Sequence, residues 1–207
     1  MNAIVKSELA GAVIAAKTLM REAGIAGMLG VFARVGAAQA AGEPWKKLGP
    51  SADKQETLSR RQLGSAVLLE RALRKSMGRE RARKIVSDIV LAASVDFLGR
   101  NVPKLNRVSI LEMSDADRER FLSGINVKFF NADAEMEMNG EESLLWTIRR
   151  CRFVELLDAI GERDMAPVFC EGDRVFFDEH QPDVRLERSQ TLASGGSCCD
   201  FRFFFKD

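Results

Sequence analysis

The chain has 207 residues and a formal net charge of +1, with 46% hydrophobic and 29% charged side chains. That length supports one sizeable core and is short for two comfortable domains. The near-neutral balance lacks the basic excess that nucleic-acid binders show, so no nucleic-acid partner is expected.

In chain order, residues 1–50 read as an N-terminal helical extension and residues 51–207 as the main domain. Ile4, Leu9, Val13, Ile14, Leu19 and Met20 fall at helical spacing up to Arg21. Glycines between Gly24 and Gly30 break the pattern, and a second short helix is expected from Met28 to Ala40. Ala38-Gln39-Ala40-Ala41 imitates a signal-peptidase site, but Lys17, Arg21, Glu22 and Arg34 interrupt the apolar runs. The expectation is therefore a retained amphipathic hairpin, not a leader or a membrane span. Such a hairpin covers the core or packs on another subunit, which makes a homo-oligomer the expected macromolecular partner.

Gly42 to Ser51 is a connecting loop anchored by Trp45. Asp53-Lys54-Gln55-Glu56 has the form of a capping box and opens a helix through Met77. A further helix is expected from Arg79 to Phe97, closed by Gly99. The basic residues crowded between Lys46 and Lys84 read as a solvated face or as partners of acids one turn away. Ser114 starts a shorter helix ending near Gly124.

Alternation then replaces helical spacing. Val127–Met138 and Leu144–Arg149 read as strands joined at Asn139-Gly140. Cys151–Ile160 and Ala166–Phe177 return to helical spacing. Val184–Leu192 and Cys199–Phe205 read as two more strands, with Ser194-Gly195-Gly196-Ser197 as the turn between them. The fold class is α+β: N-terminal helices packed on a C-terminal antiparallel sheet, in the order strand–strand–helix–helix–strand–strand.

All four cysteines lie between Cys151 and Cys199, near the only histidine, His180. The chain is not cysteine-dense, and the vicinal pair Cys198-Cys199 rarely forms an unstrained disulfide, so reduced thiols in a cytoplasmic protein are expected. Cys170 and Asp173 are three apart on one helix face. Cys199 opens the last strand and Asp200 points to its opposite face. A thiolate becomes nucleophilic when a cation, a helix N-terminus or a base lowers its pKa. Arg188 on the preceding strand, and Arg149, Arg150 and Arg152 around Cys151, are the cations at hand. Zinc is the competing use of these thiols and His180, but no CxxC or HxxxH spacing supports it, and no metal is expected. His180 reads as a solvated loop residue unless it folds over the thiols as a base. Phosphate loops, dinucleotide fingerprints and nucleophile elbows are absent from the sequence.

The run Cys151…Cys170-Glu171-Gly172-Asp173…Arg188-Ser189-Gln190-Thr191-Leu192…Gly196-Ser197-Cys198-Cys199-Asp200-Phe201 resembles the L-2-amino-thiazoline-4-carboxylic acid hydrolase family. The resemblance covers roughly Arg79 to Phe205 and is most specific in the tail, with its Arg-x-x-Thr-Leu…Gly…Cys-Asp-Phe signature. It implies ring-opening hydrolysis of a small cyclic amidine carrying a carboxylate, toward an N-carbamoyl amino acid, with no cofactor. It places Cys170, Asp173, Cys199 and Asp200 as catalytic candidates, and Arg188, Thr191 and Cys151 as substrate-binding candidates. Either a thiolate or a carboxylate-activated water would attack the ring. The order of elements is also loosely similar to vinyl-reductase-type and haem-nitric-oxide-binding domains, in which a pocket senses a small molecule without turnover. An enzyme requires an acid and a thiol converging on one pocket.

Overall fold

The computed structural model describes residues 3–206, with side chains from residue 6 onward; the side chain of Ile4 lies outside the described residues. Its elements are α1 (Ala3–Ala40), α2 (Lys54–Met77), α3 (Arg79–Asn101), α4 (Arg107–Leu111), α5 (Asp115–Asn126), β1 (Ala132–Asn139), β2 (Ser143–Cys151), α6 (Arg152–Ala159), α7 (Ala166–His180), β3 (Val184–Glu187) and β4 (Cys199–Phe205). The four strands form one antiparallel sheet in the order β1-β2-β4-β3. The chain is thus an α+β fold with its sheet in the C-terminal half.

Local chemistry accounts for most boundaries. Asp53 caps α2, its Oδ1 accepting from the Glu56 amide at 2.7 Å, while Glu56 reaches back to the Ala52 amide. These bonds satisfy donors that a helix N-terminus leaves orphaned. Gly78, at φ 81, separates α2 from α3. Ser114 caps α5, and Gly140 at φ 65 makes the turn between β1 and β2.

Several boundaries differ from the sequence expectation. The two N-terminal helices abut at Gly24 (φ 68, ψ 176) with no intervening loop. A glycine tolerates that conformation without Cβ strain, so one residue makes the kink. Gly99 does not stop α3, which runs on to Asn101 and ends before Pro103. Proline disfavours helical backbone in the residue preceding it, here Val102, which is extended. β3 ends at Glu187, so Arg188 lies in the loop that follows and not on the strand. His180 is the last residue of α7, stacked on Phe176 at 5.8 Å, and not a loop residue. By length and composition alone, Lys6–Ala40 also passes for a membrane-spanning helix, with mean hydropathy 1.3. Its few charges do not exclude that on composition; in this fold its Ala15, Leu19 and Val31 are buried, whereas Leu9, Val13, Met20, Ile25 and Leu29 are exposed.

Two apolar clusters organise the interior. One joins α1, α2, α3, α6 and the start of α7 around Leu19, Leu63, Leu73 and Val86. The other joins the sheet to α3, α5 and α7. There β4 alternates as expected: Cys199, Phe201, Phe203 and Phe205 are buried, whereas Arg202 is exposed. Phe203 meets Phe177 of α7 at 4.4 Å, and Trp146 of β2 meets Phe129 at 4.6 Å. The Trp146 indole donates to Asn126 Oδ1 at 2.8 Å, which satisfies its buried N–H.

The basic run of α2 and α3 is neutralised partly by distant acids. Glu70, fully buried, accepts from Arg74 and Arg83, and Glu162 accepts from Arg71 and Arg74. Asp164 pairs with Arg79 and Arg83. These pairs tie α2 and α3 to the segment between α6 and α7.

Candidate functional site

A cavity of about 100 Å³ lies where α3, β2, α6 and α7 meet. Cys151, Cys170 and Asp173 line it, with Gln62, Ser94 and Asn131 as further polar groups and Phe97, Phe129, Trp146 and Phe169 as aromatic walls. Cys170 and Asp173 share a face of α7, and Cys151 sits at the junction of β2 and α6. The close approach of α7 to α3 depends on Gly172. A Cβ there would stand 2.3 Å from the Cβ of Ser94, itself part of the cavity wall.

Asp173 is the most perturbed acid. Burial pushes its carboxyl up to about 7, against the attraction of the Arg188 guanidinium. No hydrogen bond reaches it from the described residues. A carboxyl poised near neutrality inside a cavity is the usual profile of an acid–base group.

The thiols move the other way from reactivity. Burial raises Cys170 far above its ordinary range, and the nearby Asp173 charge adds to this. Its Sγ donates weakly to the Ala166 carbonyl at 3.9 Å. Burial lifts Cys199 to about 11, opposed by the Leu192 amide, which donates to its sulfur at 3.3 Å. Cys151 is raised by burial too, although it occupies the N-terminus of α6 with the Val154 and Phe153 amides and the Asn131 side chain acting to lower it. Arg149 and Arg150 beside it are exposed and engage Glu135 and Glu155. Arg152 is buried against Asp133. These cations serve ion pairs, and all three thiols are held protonated at neutral pH.

The signature residues of the tail form a corner behind the cavity. Asp200 accepts from the Ser189 amide at 3.0 Å, the Gln190 amide at 2.8 Å and the Ser189 hydroxyl. Burial alone would raise its pKa; these bonds outweigh burial and hold it below the usual carboxylate value. Thr191 caps the short turn Leu192–Ser194, accepting from the Ser194 amide at 3.1 Å. Arg188 donates from Nη1 to the Cys170 carbonyl at 3.0 Å and lies over the Phe201 ring at 5.6 Å. Thus Cys151, Cys170 and Asp173 come together in the cavity, with Arg188 and Cys199 in electrostatic range. Arg188, Thr191, Cys199 and Asp200 line neither this cavity nor the larger one beside it.

Among the described residues, no group of three or more His, Cys, Asp and Glu side chains is arranged to hold a metal ion. His180 is exposed and lines neither cavity. Sequence reasoning missed Gln62, Ser94 and Asn131. For Ser94 a signal existed: a polar residue one turn from Val90 on an inward helical face.

Beside the small cavity lies a larger one of about 680 Å³ between α1, α2 and α3. The two share Gln62, Ser94, Phe97 and Phe169 in their walls.

Comparison with known proteins adds the family. One solved structure, described as "Probing the function of heme distortion in the H-NOX family", aligns over 94% of this chain and 92% of that chain. Its identity is 14% and its TM-score 0.34, a likeness that carries no argument about function. No curated protein matches the chain. The sequence profile of the L-2-amino-thiazoline-4-carboxylic acid hydrolases matches residues 57–203, from the first turn of α2 to the middle of β4. With most of its length inside that match, and with the signature residues folded into one corner against α7, the chain belongs to the L-2-amino-thiazoline-4-carboxylic acid hydrolase family.

Proposed function

We propose that the protein opens a small cyclic amidine bearing a carboxylate, of the 2-amino-thiazoline-4-carboxylate type, by direct attack of water with Asp173 as the acid–base group. The observation carrying this reading is the Asp173 carboxyl, raised to about 7 and facing the same small cavity as Cys151 and Cys170. An acid and thiols converging on one pocket favour turnover over sensing alone. With every nearby thiol pushed toward its protonated form, water activated by a carboxylate is the better nucleophile.

In the reaction, the water oxygen bonds to the ring carbon between sulfur and nitrogen, and Asp173 takes the water proton. The carbon–sulfur bond then breaks with its electron pair on sulfur, Asp173 returns its proton to that sulfur, and the second water proton passes from the oxygen to the ring nitrogen as the carbonyl forms. One water is consumed, and the product is an N-carbamoyl amino acid with a free thiol. The protonated thiols of Cys151 and Cys170 shape the pocket and donate weak hydrogen bonds. Arg188, outside the cavity lining, acts as a fixed cation in range of Asp173. Thr191 and Asp200 act by folding the loop that carries Arg188. The reaction needs no cofactor, and the setting is cytoplasmic.

Thiol release from 2-amino-thiazoline-4-carboxylate by purified protein tests the reading. Asp173→Asn is expected to lower kcat by about a hundredfold or more, while Cys151→Ala and Cys170→Ala each retain at least about a tenth of it. Full activity in Asp173→Asn, or loss of activity in one cysteine variant alone, would overturn the assignment.

A further inference from the structure

The cavity of about 680 Å³ has no part in the ring chemistry above, and it is several times the size of the cavity at Asp173. Its volume falls within the range of roughly 300–1,000 Å³ typical of sites that enclose a drug-sized ligand. Ala12, Phe32, Val35, Leu58, Val90 and Phe97 contribute apolar wall. The charged residues around it are engaged within the protein: Glu8 with Arg61, Glu43 with Arg71, and Arg60 with Glu56. These charges are paired, with Arg60 Nε alone among the buried side-chain atoms of the described residues left without a hydrogen-bond partner, and the chamber otherwise offers apolar surface to an uncharged group. Gln62, Ser94, Phe97 and Phe169 wall both cavities, so the chamber and the Asp173 cavity adjoin across these four side chains.

We propose that this chamber is the tail site of an amphipathic substrate. An uncharged alkyl or aryl group lies between α1 and the α2–α3 pair, and the polar ring it carries reaches Asp173. The substrate is then larger than 2-amino-thiazoline-4-carboxylate itself, in a class of ring carboxylates bearing an apolar substituent. The proposal rests on Asp173 as the acid–base group. It also gives α1 a functional role, since Ser7, Gly11, Ala12 and Phe32 line the chamber from outside the segment matched by the family. Apolar burial supplies the affinity: each methylene removed from water contributes about 0.8 kcal/mol, close to a fourfold gain.

The full chain is titrated with N-phenyl-1-naphthylamine, a neutral apolar fluorophore. It is then competed with 2-amino-thiazoline-4-carboxylate or with a derivative carrying a hexyl chain on the ring. Saturable fluorophore binding is expected, with the hexyl compound displacing it at a concentration at least about tenfold lower than the parent. Ala12→Trp, which fills the chamber from an exposed position on α1, is expected to weaken fluorophore binding at least about tenfold with its helical circular dichroism retained. If that variant does not fold, Ala12→Phe is read in its place against the same expectation. Failure to saturate, equal displacement by parent and hexyl compounds, or unchanged binding in the folded variant overturns the tail site. Hydrolysis of the parent ring with equal displacement by the two compounds overturns the tail site and leaves the acid–base assignment standing. Hexyl-selective displacement with neither compound hydrolysed overturns the acid–base assignment and, with it, the chamber's role in holding a substrate.

Discussion

Arg188 Nη1 donates to the main-chain carbonyl of Cys170 at 3.0 Å, and this bond ties the loop after β3 to α7. It brings the guanidinium into range of Asp173, three residues further along the helix, where its charge opposes the effect of burial. The tail signature thus acts on the cavity through a positioned cation, held in turn by the turns that Asp200 and Thr191 organise.

The Asp173 carboxyl makes a pH prediction with a definite sign. Its folded value of about 7 lies above its ordinary 3.8, so between these the folded state binds a proton that the unfolded state has released. Its contribution to stability is full below pH 3.8 and is lost as pH rises through about 7. Asp173→Asn removes this loss, so the variant gains on the wild type as pH rises, by at most about 3 kcal/mol between pH 5 and pH 8. Thermal unfolding of both proteins at pH 5 and pH 8 measures it; a constant difference would refute it. Activity runs the opposite way: kcat/KM of the wild type is expected to rise toward a plateau above pH 7, where the base is ionised.

Gly172→Ala places a methyl group 2.3 Å from the Ser94 Cβ, too close for α3 and α7 to keep their separation. Overpacking of this kind costs about 1–3 kcal/mol. Because Asp173 is the next residue, kcat is expected to fall along with stability. Ser94→Gly in the same chain relieves the contact, and recovery of Tm in the double variant identifies the clash as the cause.

Asp200→Ala removes the acceptor for two amides and a hydroxyl at the 189–190 turn. Unpaired donors cost about 1–3 kcal/mol in total at a partly exposed site such as this. Asp200→Asn keeps one acceptor oxygen and is expected to lose about half as much. Urea denaturation ranks the three proteins, and equal stability of all three would remove the structural role assigned to this carboxylate.

Glu70 is fully buried and holds Arg74 and Arg83. Glu70→Ala leaves both cations without this partner and is expected to cost about 3–5 kcal/mol. Glu70→Met, which keeps the volume but not the charge, is expected to be equally costly, because the loss is electrostatic. A Met variant as stable as the wild type would show that packing, not pairing, holds α2 to α3.

Much of the architecture was legible from local pattern. Two-residue alternation in Cys199–Phe205 identified both the last strand and its buried face, because a strand set on helices must turn every second side chain inward. Asp53 with Glu56, and Asn139 with Gly140, announced a helix start and a hairpin through chemistry confined to four residues or fewer. Where the outcome depended on distant partners, pattern was insufficient. Arg188 reads as part of an alternating strand, but β4 pairs with β3 only as far as Glu187, opposite Arg202. Beyond that point Asp200 draws the Ser189 and Gln190 amides away from the ladder.

The site divides along the same line. The tail motif and the pairing of Cys170 with Asp173 on one helix face are properties of the sequence, since spacing along a helix decides which side chains are neighbours. That Cys151 joins them while Asp200 does not, that burial raises three thiols further above neutrality, and that α1 helps wall a chamber beside the cavity are outcomes of tertiary packing. Burial sets these pKa values, and burial is a sum over neighbours brought together from α2 to β4. No local window of sequence contains that sum.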